Sequence, residues 1–396
     1  MKNILLSFIC LLLYNTVYGQ RYLHPVFTSV DSIPNISYGN AVNVKGISQS
    51  LLLDFYQPFA DTETKRPLLL YIHGGGFSDT TQNRKLIHIK AFCDSFALRG
   101  YAVASIDYRL DSVATGLSNR AIIQAMHDAK AAVRFFKANA ATYKIDTSRI
   151  YIGGESAGGI TALTTSYINQ TNEVFYPSTP PFSLDLTIEG NSGNPGYSSA
   201  VKSTLCLCAG TRHVSGLPVF DTTAIQNPTD PTLLIIHGTS DPAIPIAASL
   251  DVFIRATHVG VPNLFYPLYG ATHCPWLFPL PNSWAYLDTL VNYTSSFLYA
   301  NVITGIQESL TDKEILTVYP NPFSITTTIH TTTPFQEATL TVYNLNGQTV
   351  KQMTNISGQT VTVLREQLPA GLYFIQMTEV NKISMTNKLI IADRLD

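Results

Sequence analysis

Charge is what this 396-residue sequence has least of: only 13% of it is Asp, Glu, Lys or Arg, and 25 basic side chains stand against 27 acidic ones, a net charge of -2. That balance gives no electrostatic basis for holding nucleic acid or an anionic bilayer. Low charge with 11% aromatic residues also excludes a disordered chain, which needs low hydrophobicity and high net charge. Long apolar runs are missing too. The run from Ile4 to Leu13 stops early, well short of the roughly 20 residues that cross a bilayer, and no later segment is longer, so no transmembrane segment is expected in the mature protein. Cysteine is scarce, at five residues. Cys206 and Cys208 lack the C-x-x-C spacing of redox and zinc sites, and no second ligand cluster accompanies them. Neither a metal nor an organic cofactor is expected.

Met1-Lys2-Asn3, the apolar run and the small-residue site Val17-Tyr18-Gly19 have the layout of a secretory signal peptide over 1–19, cut before Gln20. Cys10 leaves with it, so Cys93, Cys206, Cys208 and Cys274 enter an oxidising compartment. Four thiols permit three complete pairings, and buried free thiols are the simpler reading.

The chain is long enough for one large core plus an appendage. From Leu51 to about Leu298 short β-rich runs alternate with helical ones, which predicts a mostly parallel sheet covered by helices. Expected strands include Leu68–Ile72, Ala102–Ile106, Arg149–Gly153, Lys202–Cys208, Thr232–Ile236 and Asn263–Tyr269. Ile122, Met126, Ala129, Val133 and Phe136 recur at helical steps and predict a helix from about Asn119 to Tyr143. After about Ala300 the composition changes. Ile315–Asp396 is rich in Thr, Val, Ile and Tyr, with turn signals at Asn346-Gly347, Ser357-Gly358 and Ala370-Gly371, and reads as a small all-β sandwich. The expected division is signal 1–19, α/β domain 20–300, linker 301–314 and β domain 315–396.

Gly154-Glu155-Ser156-Ala157-Gly158 fits G-x-S-x-G between a predicted strand and a predicted helix, the context in which a serine sits on a tight, exposed turn. Glycine two positions either side of it suits a turn where backbone segments approach too closely for a Cβ. His73-Gly74-Gly75-Gly76-Phe77 follows the strand at Leu68–Ile72, and a glycine run there turns backbone N–H groups into a shared cavity. Acyl transfer needs such donors because the carbonyl oxygen gains charge in the transition state. Gly75, Gly76 and Ala157 are the expected oxyanion hole, and His73 is expected to orient the loop.

A serine hydroxyl needs a base, and the base a carboxylate to orient it, in the chain order Ser, acid, His for this architecture. Asp241 lies just past the strand Thr232–Ile236 and His273 just past Asn263–Tyr269, both at strand C-terminal ends, where open α/β sheets place their sites. Asp230 precedes its strand and Asp251 lies in a predicted helix; His237 precedes the acid, His258 precedes the last strand and His127 lies mid-helix. Ser156, Asp241 and His273 are therefore the expected catalytic set.

Together, His73-Gly74-Gly75-Gly76, Asp107-Tyr108-Arg109-Leu110, Gly154-Glu155-Ser156-Ala157-Gly158-Gly159 and the spaced Asp241 and His273 resemble the α/β-hydrolase esterase and lipase families with an HGGG oxyanion loop. The likeness is greatest to the branch of hormone-sensitive-lipase-like carboxylesterases and bacterial feruloyl or acetyl-xylan esterases, whose glycine-rich insert Glu189–Ser199 also resembles. It implies a carboxylic ester hydrolase acting on a small-molecule or polysaccharide ester, with Asp107-Tyr108-Arg109 a structural turn. Val318-Tyr319-Pro320-Asn321-Pro322-Phe323, Leu368-Pro369-Ala370-Gly371-Leu372-Tyr373 and Lys388-Leu389-Ile390-Ile391 resemble the type IX secretion sorting domain, which implies secretion machinery as a partner and a secreted or cell-surface location. A serine peptidase of the same fold and a catalytically silent binding protein are the rival readings.

Overall fold

The computed structural model describes residues 21–111, 119–173, 185–211, 219–303, 316–321, 323–344, 349–379 and 385–391. The expected signal peptide over 1–19 lies outside them. The chain divides into two units between Ile306 and Gln307.

The first unit is built on an eight-stranded sheet of order β1-β2-β4-β3-β5-β6-β7-β8. Its strands are β1 (Val30–Val42), β2 (Ser48–Pro58), β3 (Arg66–Ile72), β4 (Ala102–Ile106), β5 (Ile145–Glu155), β6 (Ser203–Leu207), β7 (Thr232–Gly238) and β8 (Asn263–Leu268). β1, β2 and β4 pair antiparallel, and every later pair is parallel. Parallel strands need crossovers, supplied by α1 (Ile87–Ala97), α2 (Asn119–Ala138), α3 (Ala140–Tyr143), α4 (Ala157–Tyr167) and α5 (Ile246–Val259), with α6 (Ser283–Ile303) closing the unit. The helix expected over Asn119–Tyr143 breaks at Asn139 and ends at a left-handed Lys144.

Covered on both faces, β3 is buried at every position, which is why it reads as a continuous apolar run. Leu69 and Tyr71 face one layer with Val103, Tyr151, Leu205, Leu207, Leu234 and Ile236, against Ile89, Phe92 and Phe96 of α1 and Leu287, Leu290 and Leu298 of α6. The two-residue alternation of a strand sends Leu68, Leu70 and Ile72 to the opposite face. α2 and α4 pack together there.

The second unit is all β. β9 (Leu316–Tyr319), β10 (Thr326–Tyr343), β11 (Thr349–Leu364), β12 (Gly371–Thr378) and β13 (Met385–Ile391) form one antiparallel sheet. β10 pairs with β9 near its start and with β12 near its end, and register shifts interrupt its pairing with β11 between His330 and Leu340. Residues from both ends of β10, Ile329 and Leu340, share one core with Val363, Ile375 and Leu389.

Candidate active site

The turn from β5 into α4 carries Ser156 at φ 52, ψ -117. A left-handed serine stores on the order of 1–3 kcal/mol of strain and persists only where its surroundings dictate it. Ser156 N–H donates to the Leu207 carbonyl and its own carbonyl accepts from Ile160, so backbone on both sides pins it. A Cβ on Gly158 would lie 2.1 Å from the Ile72 carbonyl oxygen, and one on Gly154 2.5 Å from the same atom. The elbow closes onto the end of β3 only because both are glycine.

His273 follows β8 and Asp241 follows β7, and the sheet brings both to the edge where Ser156 sits. Ser156 Oγ lies 2.9 Å from His273 Nε2, and His273 Nδ1 lies 2.6 Å from Asp241 Oδ2. A carboxylate facing Nδ1 fixes the proton there and leaves the Nε2 lone pair for the serine hydroxyl. The other oxygen, Asp241 Oδ1, accepts the Ala243 and Ile244 N–H groups at 2.8 and 2.9 Å. Burial alone would raise the affinity of Asp241 for a proton, but hydrogen bonds from His237, His273 and Ile244 outweigh it and hold the carboxyl well below its ordinary range.

The loop after β3 faces this serine: a Cβ on Gly74 would lie 3.4 Å from Ser156 Cβ. Gly75 and Gly76 have left-handed φ values of 105° and 58°. Among the described residues, the N–H groups of Gly75, Gly76 and Ala157 have no hydrogen-bond partner within the protein. The His73 ring bonds the Gly74 carbonyl through Nδ1 at 2.7 Å and stacks on Tyr108, whose hydroxyl donates to the His73 and Gly74 carbonyls. Burial pushes the proton affinity of His73 down, which favours the neutral ring. Asp107 accepts from Arg84, while Arg109 forms a buried ion pair with Asp128.

Of the rival residues, Asp230 caps the Gln226 and Asn227 N–H groups, Asp251 accepts from Thr211, and His127 bonds the Thr187 carbonyl. None of these bonds involves Ser156, Asp241 or His273, whereas His237 contacts Asp241 at 3.0 Å.

Sequence reasoning also passes over the residue beside Ser156. Glu155 is buried, and its carboxylate binds His88 Nε2 at 2.8 Å, Tyr71 Oη at 3.0 Å and Trp276 Nε1 at 2.6 Å. Burial opposes its ionisation, but the charge and hydrogen bond of His88, with the bonds from Trp276 and Tyr71, hold its carboxyl below the ordinary range. One carboxylate thereby ties the elbow to β3, α1 and the segment three residues past His273.

The four described cysteines are free and buried. Among the described residues, Cys208, His273 and Cys274 have donor atoms within 4.8 Å of one another and are placed to share a metal ion. They suit one poorly: both His273 nitrogens already face Asp241 and Ser156, and burial pushes the Cys274 thiol well up, whereas a metal needs the thiolate. Beside the glycine loop lies a cleft of about 260 Å³ lined by His73, Asp107 and Tyr108 together with Asn43, Gln49 and Gln82.

Residues 53–203 match the BD-FAE family model, and residues 317–392 match the model of the secretion system C-terminal sorting domain. No curated protein sequence matches the chain. Among solved structures, the apo form of esterase 2 from Thermogutta terrifontis is 20% identical with a TM-score of 0.51, over 73% of this chain and 98% of that one. The same esterase phosphoramylated by tabun gives 19% and 0.52, and phosphorylated by paraoxon 20% and 0.51, over the same shares of both chains. The first unit therefore has the α/β-hydrolase fold of these structures, and its residues 53–203 are similar to the BD-FAE family. The second is a sorting domain that marks the protein for type IX secretion, to the cell surface or the medium. Among the described residues, no helix is long and apolar enough to cross a membrane.

Proposed function

We propose that this protein is a serine hydrolase of carboxylic esters, with Ser156 as nucleophile, His273 as base and Asp241 as the group that orients it. The observation that carries the reading is the pair of contacts at 2.9 and 2.6 Å linking the three side chains. His273 Nε2 takes the proton of Ser156 as Oγ attacks the ester carbonyl, and the new oxyanion accepts from Gly75, Gly76 and Ala157 N–H. Such donors each contribute about 3 kcal/mol when aimed at the developing charge. Collapse expels the alcohol oxygen, which takes the Nε2 proton. Water then surrenders a proton to the same nitrogen and attacks the acyl-enzyme, releasing the acid and free serine. No step needs a metal or cofactor.

Acetyl or feruloyl esters of polysaccharides are the proposed substrates. Three features support them: the BD-FAE match, the sorting domain that sends the protein out of the cell, and the amide-lined cleft beside the loop. The signal peptide over 1–19 is proposed as the first export signal.

The test is hydrolysis of p-nitrophenyl acetate, butyrate and octanoate, methyl ferulate and acetylated xylan by the full chain beside Ser156→Ala. Serine-dependent release of acetate or ferulate supports the reading, and turnover limited to p-nitrophenyl esters narrows it to a general carboxylesterase. Paraoxon phosphorylates the related esterase; failure of paraoxon to label Ser156, with no ester cleaved, would reject the reading in favour of a peptidase or a silent binder.

A further inference from the structure

The acid of the proposed triad faces two histidines, and only one of them reaches the serine. His237 sits at the end of β7, four residues before Asp241, with its side chain fully buried. Both of its ring nitrogens face oxygens. Nε2 lies 2.9 Å from the Ile244 carbonyl and 3.0 Å from Asp241 Oδ2, and a carbonyl and a carboxylate only accept, so Nε2 must donate. Nδ1 lies 2.6 Å from Ser249 Oγ. The Ser249 hydroxyl has one proton and directs it to the Ala209 carbonyl. Ser249 therefore accepts from the ring, and Nδ1 must donate as well. A ring that donates from both nitrogens is an imidazolium.

We infer that His237 is a fixed buried cation behind the Asp241 carboxylate and a positioning residue for the Ser156, His273 and Asp241 set. This rests on the catalytic reading of those three residues. A buried cation is tolerated only when paired and fully hydrogen-bonded, and both conditions hold here. Asp241 Oδ2 is shared between His237 at 3.0 Å and His273 at 2.6 Å, while Oδ1 is held by two backbone N–H groups. The carboxylate is thus bound on every side and has no freedom to swing away from the base. Part of its charge is also neutralised, so it stabilises an imidazolium on His273 less than an unshared carboxylate would. The base returns its proton to the leaving group more readily. Among the described residues, the other titratable groups near this assembly are Cys206, directed at the Ala209 carbonyl, Cys208 and Cys274 beside His273, and Glu155, whose charge acts on Cys274. Asp251, further along α5, accepts from Thr211.

Two measurements on the full chain test this. In a ¹⁵N-histidine NMR spectrum, the His237 ring, assigned through cross-peaks to Ser249 and Ile244, is expected to carry protons on both nitrogens at the pH of maximal activity. A ring with one protonated nitrogen would overturn the fixed cation, and that outcome does not depend on whether Ser156 is the nucleophile. The second is the pH profile of kcat/KM for wild type and His237→Gln, which keeps a donor near the Nε2 position and removes the charge. Loss of a neighbouring cation is expected to move the acid limb upward by about 0.5–1 pH unit, with kcat reduced about tenfold and KM within about twofold. A folded His237→Gln protein with an unmoved acid limb would overturn the positioning role.

Discussion

The two units bury different kinds of side chain. In the α/β unit the interior holds ion pairs and charged hydrogen bonds, His88 with Glu155, Arg109 with Asp128 and Arg84 with Asp54, and a left-handed serine sits half-buried at its sheet edge. In the β unit the core is aliphatic and aromatic, from Ile329 and Leu340 to Ile375 and Leu389; the buried polar side chains among its described residues are Thr327, Thr331, Thr341 and Glu379. Burying charge is costly unless each group is paired, so a fold that does so repeatedly around one sheet edge is holding reactive groups in place. Among its described residues the β unit buries one carboxylate, Glu379, which accepts the Gln336 N–H.

The sharpest way to break this contrast is to remove one oxygen. Ser156→Ala is expected to lower kcat/KM on the order of 10⁵-fold, about 7 kcal/mol, while leaving the thermal midpoint unchanged or raised, because the strained position loses a side chain that contributes to chemistry rather than to packing. Residual turnover within tenfold of wild type would place the nucleophile elsewhere. Stability should respond in the opposite way at the neighbouring glycine. Gly158→Ala drives a Cβ to 2.1 Å from the Ile72 carbonyl oxygen, a backbone atom that cannot rotate aside. The expected outcome is destabilisation of about 3–5 kcal/mol by urea unfolding, or failure to fold.

The glycines were legible because close approach leaves no alternative residue, and the central strands because burial on both faces leaves only apolar side chains. β3 and β4 coincide with the runs that predict them to within two residues. β1 was not legible, since nearly all of it is half-buried or exposed and it carries no apolar period. The expected linker from residue 301 begins while α6 still runs to Ile303, the usual imprecision of a helix end. At the site, Ser156, Asp241 and His273 follow from motif and strand order. Glu155 with His88 and Trp276 does not, because residues 67 and 121 positions apart meet only once the sheet has formed. His237 is named from sequence only to be set aside, and its contact with Asp241 depends on the turn at Pro242–Ile244 that no pattern announces.

Glu155→Gln sharpens the contrast through pH. The carboxyl of Glu155 titrates below its ordinary value in the folded protein, so its contribution to stability is fully present above the unfolded value and is lost as pH falls through the lower folded one. The variant removes the buried negative charge that binds His88, Tyr71 and Trp276, and losing a charged acceptor from such a network costs about 1.5–3 kcal/mol. That difference from wild type, measured by urea unfolding, should be complete at neutral pH and shrink as pH falls below about 4.5. A constant difference down to the acid transition would mean that the pair contributes through packing and not through charge.

Leu340→Ala in the β unit should cost about 2–5 kcal/mol of that unit's stability, the usual range for a fully buried leucine, and leave esterase turnover unaltered. Activity that fell in step with unfolding of the β unit would break the separation.

The smallest expected effect is on catalysis by a chain that stops at Ile306. Among the described residues, the hydrogen-bond partners of Ser156, His273 and Asp241 belong to the first unit, as do the core layers on which β5, β7 and β8 rest. The two units have separate hydrophobic cores, and domains with their own cores fold independently as a rule. Removing the second is therefore expected to leave kcat/KM on p-nitrophenyl acetate within about twofold, while delivery to the cell surface is lost with the sorting domain. The two readouts must be taken on the same variant, since purified activity alone would miss the second half of the expectation. If turnover instead fell tenfold with the thermal midpoint of the first unit unchanged, the β unit would be supplying something to the reaction. Its role would then extend beyond transport.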